Sequence, residues 1–153
     1  MIIKIHSTNN KLSNDEMRYC LKYFSHYLLG KRLSNNITIE VFNMGPDKIY
    51  WGNCWIIDRD SNKLPRKFGI NLYESKQKSK TIETIAHEMV HIKQFCRGDL
   101  KFNRPDGAMW KGKVFSNTKV SDKALPWEKE CLRFEKPLKN KYLDHLKYEG
   151  IKF

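Results

Sequence analysis

One stretch constrains this chain more than any other: Thr81-Ile82-Glu83-Thr84-Ile85-Ala86-His87-Glu88-Met89-Val90-His91-Ile92-Lys93-Gln94-Phe95. Ile82, Ile85, Ala86, Met89 and Val90 recur at helical spacing and form an apolar stripe, so the segment predicts a helix packed against a core. Ser79 or Thr81 is suited to cap its start, Glu83 falls in the first turn, and Arg97-Gly98 reads as its stop. On such a helix residues four apart project from one face, one turn apart. His87 and His91 can therefore present imidazole nitrogens to the same metal ion. Glu88, beside His87, brings a carboxylate within reach of a water held there. Two neutral nitrogen ligands, one base and one open coordination position are what zinc needs to activate water. The pattern predicts one Zn2+ ion on His87 and His91, with Glu88 as the catalytic base.

The 153 residues are enough for one hydrophobic core, and a single domain over 1–153 is expected. A 40% hydrophobic content with 12% aromatic residues suits a folded, water-facing protein. No apolar run approaches the roughly 20 residues that span a bilayer, so no membrane association is expected. The amino end, Met1-Ile2-Ile3-Lys4-Ile5-His6, turns polar too soon for a secretory signal. Cys20, Cys54, Cys96 and Cys131 are widely spaced, with no Cys-x-x-Cys pair. They read as free thiols in a reducing, cytoplasmic compartment. The net charge of +12 suits attraction to nucleic acid, to an acidic protein or to an anionic surface, without choosing among them. Composition is silent on oligomeric state.

Taken in order, Ile2 to His6 reads as a strand. Ser13-Asn14-Asp15-Glu16 opens a helix whose inner stripe is Met17, Cys20, Leu21, Phe24, Tyr27 and Leu28, and Gly30 ends it. Ile37 to Phe42 alternates as a strand, and Asn43 to Asp47 is a turn cluster. Tyr50 to Asp58 and Lys67 to Tyr73 are further strands, separated by a polar turn at Asp60-Ser61-Asn62-Lys63. These three read as a small meander whose order the sequence leaves open; Lys67 to Tyr73 is the favoured edge on which an extended peptide would pair, against an ordinary internal strand. From Gly98 to Leu125 the chain reads as a basic loop. Within it Trp110 and Lys111 are candidate substrate contacts, against the commoner role of a Trp that anchors a loop to the core. Pro126 to Phe134 opens another helix with proline in its first turn, Pro137 is expected to end it, and a last short helix runs from Leu138 to Tyr148.

A catalytic zinc site needs a third protein ligand. Position 97 is Arg97, so no third histidine follows at the short spacing. Downstream candidates are Glu128, Glu130, Glu135 and His145. Trp127, Cys131, Phe134 and Leu138 define the inner face of the helix, and Glu128 and Glu130 flank it at similar angles. Periodicity leaves both open.

Ala86-His87-Glu88-Met89-Val90-His91-x-x-Gln94, then Arg97-Gly98-Asp99-Leu100, Trp110-Lys111-Gly112 and Pro126-Trp127-Glu128-x-Glu130, resemble a group of small zinc metallopeptidases common in tailed phages and bacteria. The likeness spans about Thr81 to Phe134. These proteins are similar to the gluzincin branch of zincins and, more loosely, to SprT/Spartan-like domains. The latter use a third histidine that has no match here. In gluzincins a ligand glutamate is followed three residues later by a small residue. Glu128 precedes Cys131 by three, so the resemblance implies Glu128 as third ligand, with Glu130 second. It also implies a zincin-like α+β fold: a small antiparallel or mixed sheet, an active-site helix and a following helix that carries the third ligand. The implied activity is hydrolysis of peptide bonds in a peptide or protein substrate, given the charge one associated with nucleic acid. Tyr142 and His145, with Tyr148 and Arg133 behind them, are candidate donors to a developing oxyanion. Glu83, Asp99 and Glu130 are candidate acceptors for the free ring N–H groups of the histidines. A zinc-containing basic binding module without catalysis is the alternative.

Overall fold

The computed structural model describes residues 1–6, 11–47, 51–58, 63–104, 107–116 and 121–152. Asp60-Ser61-Asn62 of the expected turn, Pro105-Asp106 of the expected loop and the Tyr50 end of the expected strand lie outside the described residues. The chain combines α and β structure. In order it forms β1 (Ile2–Ile5), α1 (Asn14–Leu29), the single turn α2 (Lys31–Ser34), β2 (Thr38–Met44), β3 (Gly52–Ile56), β4 (Lys67–Tyr73), α3 (Lys78–Arg97), β5 (Leu100–Arg104), β6 (Gly107–Trp110), β7 (Lys113–Ser116) and α4 (Pro126–Tyr148).

The first sheet is mixed, in the order β1-β2-β4-β3. β1, β2 and β4 are parallel, and β3 runs antiparallel to β4. The expectation of a meander with Lys67 to Tyr73 at its edge is thus corrected. β4 lies inside the sheet, and the edge beside it is β3. The reason is visible in the side chains. Phe68, Ile70 and Leu72 on β4 are fully buried, or within 1% of it, as are Ile39 and Val41 on β2. That density of apolar residues belongs to an interior strand. β3 alternates less sharply and none of its residues is fully buried.

The helices pack on the face formed by those residues. Ser13 closes a reciprocal cap on α1: its hydroxyl accepts from the Glu16 N–H at 3.2 Å, and the Glu16 carboxylate accepts from the Ser13 N–H at 2.7 Å. Met17, Cys20, Leu21 and Phe24 then turn inward, whereas Tyr27 of the expected stripe stays half-exposed. α3 is buried on nearly every side, from Thr81 to Ala86 and again from Glu88 to Ile92. It is clasped by α1, α4 and the strands β3, β4 and β5. Its N-cap is Gln77, without a side-chain bond, so neither Ser79 nor Thr81 caps it. Gly98 ends it with φ +73°, the left-handed conformation that favours glycine.

Two further expectations change. The segment after Gly98 is a three-stranded antiparallel sheet, β5-β6-β7, rather than a loop. Its β6–β7 turn is Lys111-Gly112, with φ +47° and +81°; positive φ at both positions is the mark of a tight two-residue hairpin. The two helices expected on either side of Pro137 are one 23-residue helix with Pro137 inside it. Trp127, Cys131, Leu138, Tyr142 and Leu146 are all buried along it. That packing outweighs the hydrogen bond and carbonyl clearance that an interior proline forfeits. Among the described residues, no helix is long and apolar enough to cross a membrane.

Pro137→Ala restores an N–H that the Arg133 carbonyl can accept. It should raise thermal stability by about 1–3 kcal/mol, less than the full helix penalty because proline also restricts the unfolded chain. An unchanged or lower melting temperature would mean that the proline shapes the helix in a way the core needs.

Candidate metal centre

α3 and the first turns of α4 meet at the two histidines. The rings of His87 and His91 sit one turn apart, centroids 5.1 Å and nearly edge to face. Both present Nε2 to one carboxylate. Glu128 Oε2 is 3.3 Å from His87 Nε2, and Glu128 Oε1 is 3.1 Å from His91 Nε2. Buried Trp127 and Cys131 flank Glu128 in sequence and fix the rotation of α4 that makes this possible. The opposite ring nitrogens are also engaged. His87 Nδ1 lies 2.8 Å from Glu135 Oε2, and His91 Nδ1 lies 2.9 Å from Gln94 Oε1. Ligand atoms of His87, His91 and Cys131 lie within 4.8 Å of one another, so this cluster could hold a metal ion. Cys131 Sγ stands 3.5 Å from His91 Nδ1, on the side of the ring away from Glu128.

The donors fit a borderline cation such as zinc: imidazole nitrogens with a carboxylate or a thiol. The thiol is the weaker offer. Burial pushes the Cys131 pKa far up, and the carboxylates of Glu128, Glu88 and Glu130 push it further, so the ligating thiolate is disfavoured. Glu128 behaves oppositely. Burial works against its charge, but the hydrogen bonds from His87 and His91 prevail and bring its pKa down to about 2. Burial likewise opposes the charged form of His87, yet Glu128 and Glu135 hold its pKa up to about 10. The two shifts are the same ion pair seen from its two ends.

Glu88 is 3% exposed and lines the same cleft as His87, His91 and Glu128. Burial raises its pKa, the nearby His91 and His87 counteract this, and the Cys54 thiol donates a hydrogen bond to it. The backbone of β3 comes unusually close here. A Cβ on Gly52 would meet Thr84 Cγ2 at 2.6 Å and Glu88 Oε1 at 3.0 Å. Only glycine lets the edge strand approach α3 at this point.

The centre opens into a cleft of about 500 Å³. Trp51 and the β3 residues Gly52 and Cys54 form one wall, and the other wall carries Phe102, Leu125 and Leu132. Phe102 belongs to β5, as does Leu100, so the second sheet contributes to the cleft wall.

Several expected participants lie elsewhere. Tyr142 is buried among Tyr19, Tyr23 and Phe24, and His145 stacks on Tyr23 and bonds the Tyr19 hydroxyl at 2.9 Å. Both serve the α1–α4 contact and neither lines the cleft. Tyr148 is fully solvent-facing at 88% exposure, and Arg133 rides on the Phe134 ring. Trp110 is a buried anchor packed on Trp127 rather than a cleft residue. Lys111 lies over the Trp110 ring, 3.7 Å from Glu130. Glu130 faces Lys93 and Gln94, not the Nε2 atoms. Glu83 is held by Lys80 and Lys139, and so it does not serve a histidine. Asp99 contributes its backbone carbonyl to Lys111 N–H. The ring partners are instead Glu135, considered above only as a ligand, and Gln94, which sequence reasoning missed. Their spacing offered the signal: Gln94 is three residues beyond His91, and Glu135 is two turns beyond Glu128. Cys54 was also missed at the cleft.

Comparison with protein-family models, with curated proteins and with solved structures finds no match.

A metal must displace the proton from His87 Nε2. Apparent zinc affinity should therefore climb as pH rises from 6 towards about 10 and level off beyond it. In metal-free protein the same pair stabilises the fold. The His87 contribution is complete below pH 6.5 and fades as pH rises through about 10. The Glu128 contribution is complete above pH 4.5 and is lost as pH falls through about 2. Melting temperatures of the metal-free chain across pH 3 to 10 check this, and a Glu128→Gln variant should flatten both limbs.

Proposed function

We propose that this chain is a zinc-dependent metallopeptidase of the gluzincin type, with a zincin-like fold. The observation that carries the reading is the convergence of two imidazole Nε2 atoms on the Glu128 carboxylate, with the buried Glu88 carboxylate alongside. His87, His91 and Glu128 would hold the ion. Cys131 is the second choice in place of Glu128, disfavoured by its raised pKa and its position on the Nδ1 side of His91. Zinc supplies Lewis acidity towards a peptide carbonyl and a water molecule.

The remaining chemistry belongs to the chain. Glu88 takes a proton from the attacking water at its carboxylate and returns it to the leaving amine. Its raised pKa suits that exchange, because a carboxylate poised nearer neutrality both accepts and releases a proton readily. The Cys54 thiol orients the carboxylate. An extended peptide would lie along β3, the open edge beside the cleft, using its backbone groups for pairing. Trp51, Phe102 and Leu132 are 50%, 58% and 41% exposed and line the same cleft, which favours substrates with apolar side chains near the cleaved bond. The thiols of Cys20, Cys54, Cys96 and Cys131 are free, as a cytoplasmic setting in a bacterium or a phage-infected cell would keep them. The net charge of +12 favours substrates bound to nucleic acid, and it also sustains the second reading, a zinc-containing basic module that binds nucleic acid or a host protein without catalysis.

Glu88→Gln decides between them. It should keep zinc and fold while cutting hydrolysis of a peptide library by ~10²–10⁴-fold; equal cleavage by both proteins would remove Glu88 as the base. If wild type cleaves nothing and salt-sensitive DNA binding survives the substitution, the binding module prevails. Glu128→Ala should lose zinc far more readily than Glu130→Ala in a chelator titration. The reverse ranking would transfer the ligand role to Glu130.

A further inference from the structure

We propose that Gln94 is a positioning residue that sets the ring tautomer of His91 and, through the same amide, locks the first turn of α4 so that Glu128 meets both histidines. The proposal rests on the metal-centre reading above. Gln94 is completely buried. Its Nε2 donates to the Trp127 carbonyl at 3.0 Å and to Glu130 Oε2 at 2.9 Å, with Cys131 Sγ at 3.6 Å. Its Oε1 lies 2.9 Å from His91 Nδ1.

The orientation of the amide follows from its surroundings. Carbonyl and carboxylate oxygens only accept. Turned the other way, the amide oxygen would face the Trp127 carbonyl and the Glu130 carboxylate with no proton among them, inside a buried site. That cost fixes the NH2 end towards α4 and the oxygen towards His91. An oxygen there needs a donor, so the proton of neutral His91 sits on Nδ1. With Nδ1 so occupied, the Nε2 proton that bonds Glu128 in the metal-free chain is the one a metal displaces, and the lone pair it leaves is on the side that faces Glu128. A metal ligand whose proton could wander between two nitrogens would be available only part of the time.

The second half of the role is mechanical. Trp127 and Glu130 bracket Glu128 in sequence, and Gln94 holds both from α3. Lys93 and Lys111 hold the Glu130 carboxylate from other directions, at 3.5 and 3.7 Å. One side chain thus links the ligand that α3 contributes to the ligand that α4 contributes. The choice of a neutral acceptor also differs from the partner of His87, where Glu135 serves. Glu88, Glu128, Glu130 and Glu135 already crowd this site, and an amide orients His91 without adding to them.

The test compares wild type, Gln94→Met and Gln94→Glu/Glu130→Gln, each loaded with zinc. Methionine keeps the volume and removes both hydrogen-bonding ends. The double exchange moves the amide to α4, so that a carboxylate at 94 accepts from His91 and the new amide donates back to it; the Trp127 carbonyl loses its donor, so only the His91 half of the role is restored. Zinc affinity by chelator competition and the exchange-protected His91 Nδ1–H resonance are read for each. Gln94→Met should bind zinc about 10–100-fold more weakly and lose the protected resonance. The double variant should regain the resonance and part of the affinity, and does so independently of whether Gln94→Met folds well. Undiminished affinity and resonance in Gln94→Met, or equal losses in both variants, would overturn the proposal and leave Gln94 as core filling. Wild type that binds no zinc would overturn it together with the metal centre, which separates the two failures.

Discussion

The contact on which this structure depends is the seam between α3 and the start of α4. A carboxylate and two imidazoles are drawn into a poorly solvated space, where each alone would be costly to charge. They persist because each compensates the other: Glu128 answers both Nε2 atoms, and Glu135 and Gln94 answer the Nδ1 atoms. The apolar packing of Trp127, Cys131 and Leu138 supplies the alignment, and the polar network uses it. Neither half stands alone. Without the packing, Glu128 is an ordinary surface carboxylate. Without the network, α3 carries buried charge that its surroundings do not repay.

The sheets serve this seam from two sides. The parallel core β1-β2-β4 gives α3 an apolar floor, and β3 is added antiparallel so that its outer edge borders the cleft. Gly52 lets that edge come within contact distance of Thr84 and Glu88. The second sheet lies between α3 and α4 in sequence and puts Phe102 on the opposite wall. Trp127 ties the second sheet to α4, since Phe102, Trp110 and Phe115, one from each of its strands, all pack on its ring. A residue one position away from Glu128 is therefore the hub of the aromatic cluster.

What the sequence disclosed follows from how local each signal is. The helical period of α3, its Gly98 stop, the Ser13 cap and the two-histidine spacing are properties of neighbouring residues, and they were legible. Strand order was not, because β4 and β3 are told apart only by what lies beyond them. The β5–β7 sheet was hidden by its lysines and by a Lys111-Gly112 turn that lacks the commoner Asn-Gly form. Pro137 misled for the opposite reason: the local rule is sound, and the buried face from Trp127 to Leu146 overrides it. Glu128 and Glu130 were inseparable by helical angle. The side chain that distinguishes them, Gln94, comes from a different helix. Tyr142 and His145 looked chemical in isolation and turned out to be the joint between α1 and α4.

Charge raises a last question: how a chain of net +12 can offer a site to a dication. The excess lysines are spread over the surface, and at physiological ionic strength their fields fade over about 8 Å. The cleft is lined by Glu88, Glu128 and Glu135, all on the two helices that form the seam, and by Lys80 and Lys123. Of these, Glu128 and Glu135 touch the imidazoles directly, whereas Lys80 is paired with Glu83, so the field at the two rings favours a cation even where the global one opposes approach. The basic surface and the acidic centre then act at different ranges. On the proposed function, the first would act on an approaching polyanion, and the second on what happens at the two imidazoles.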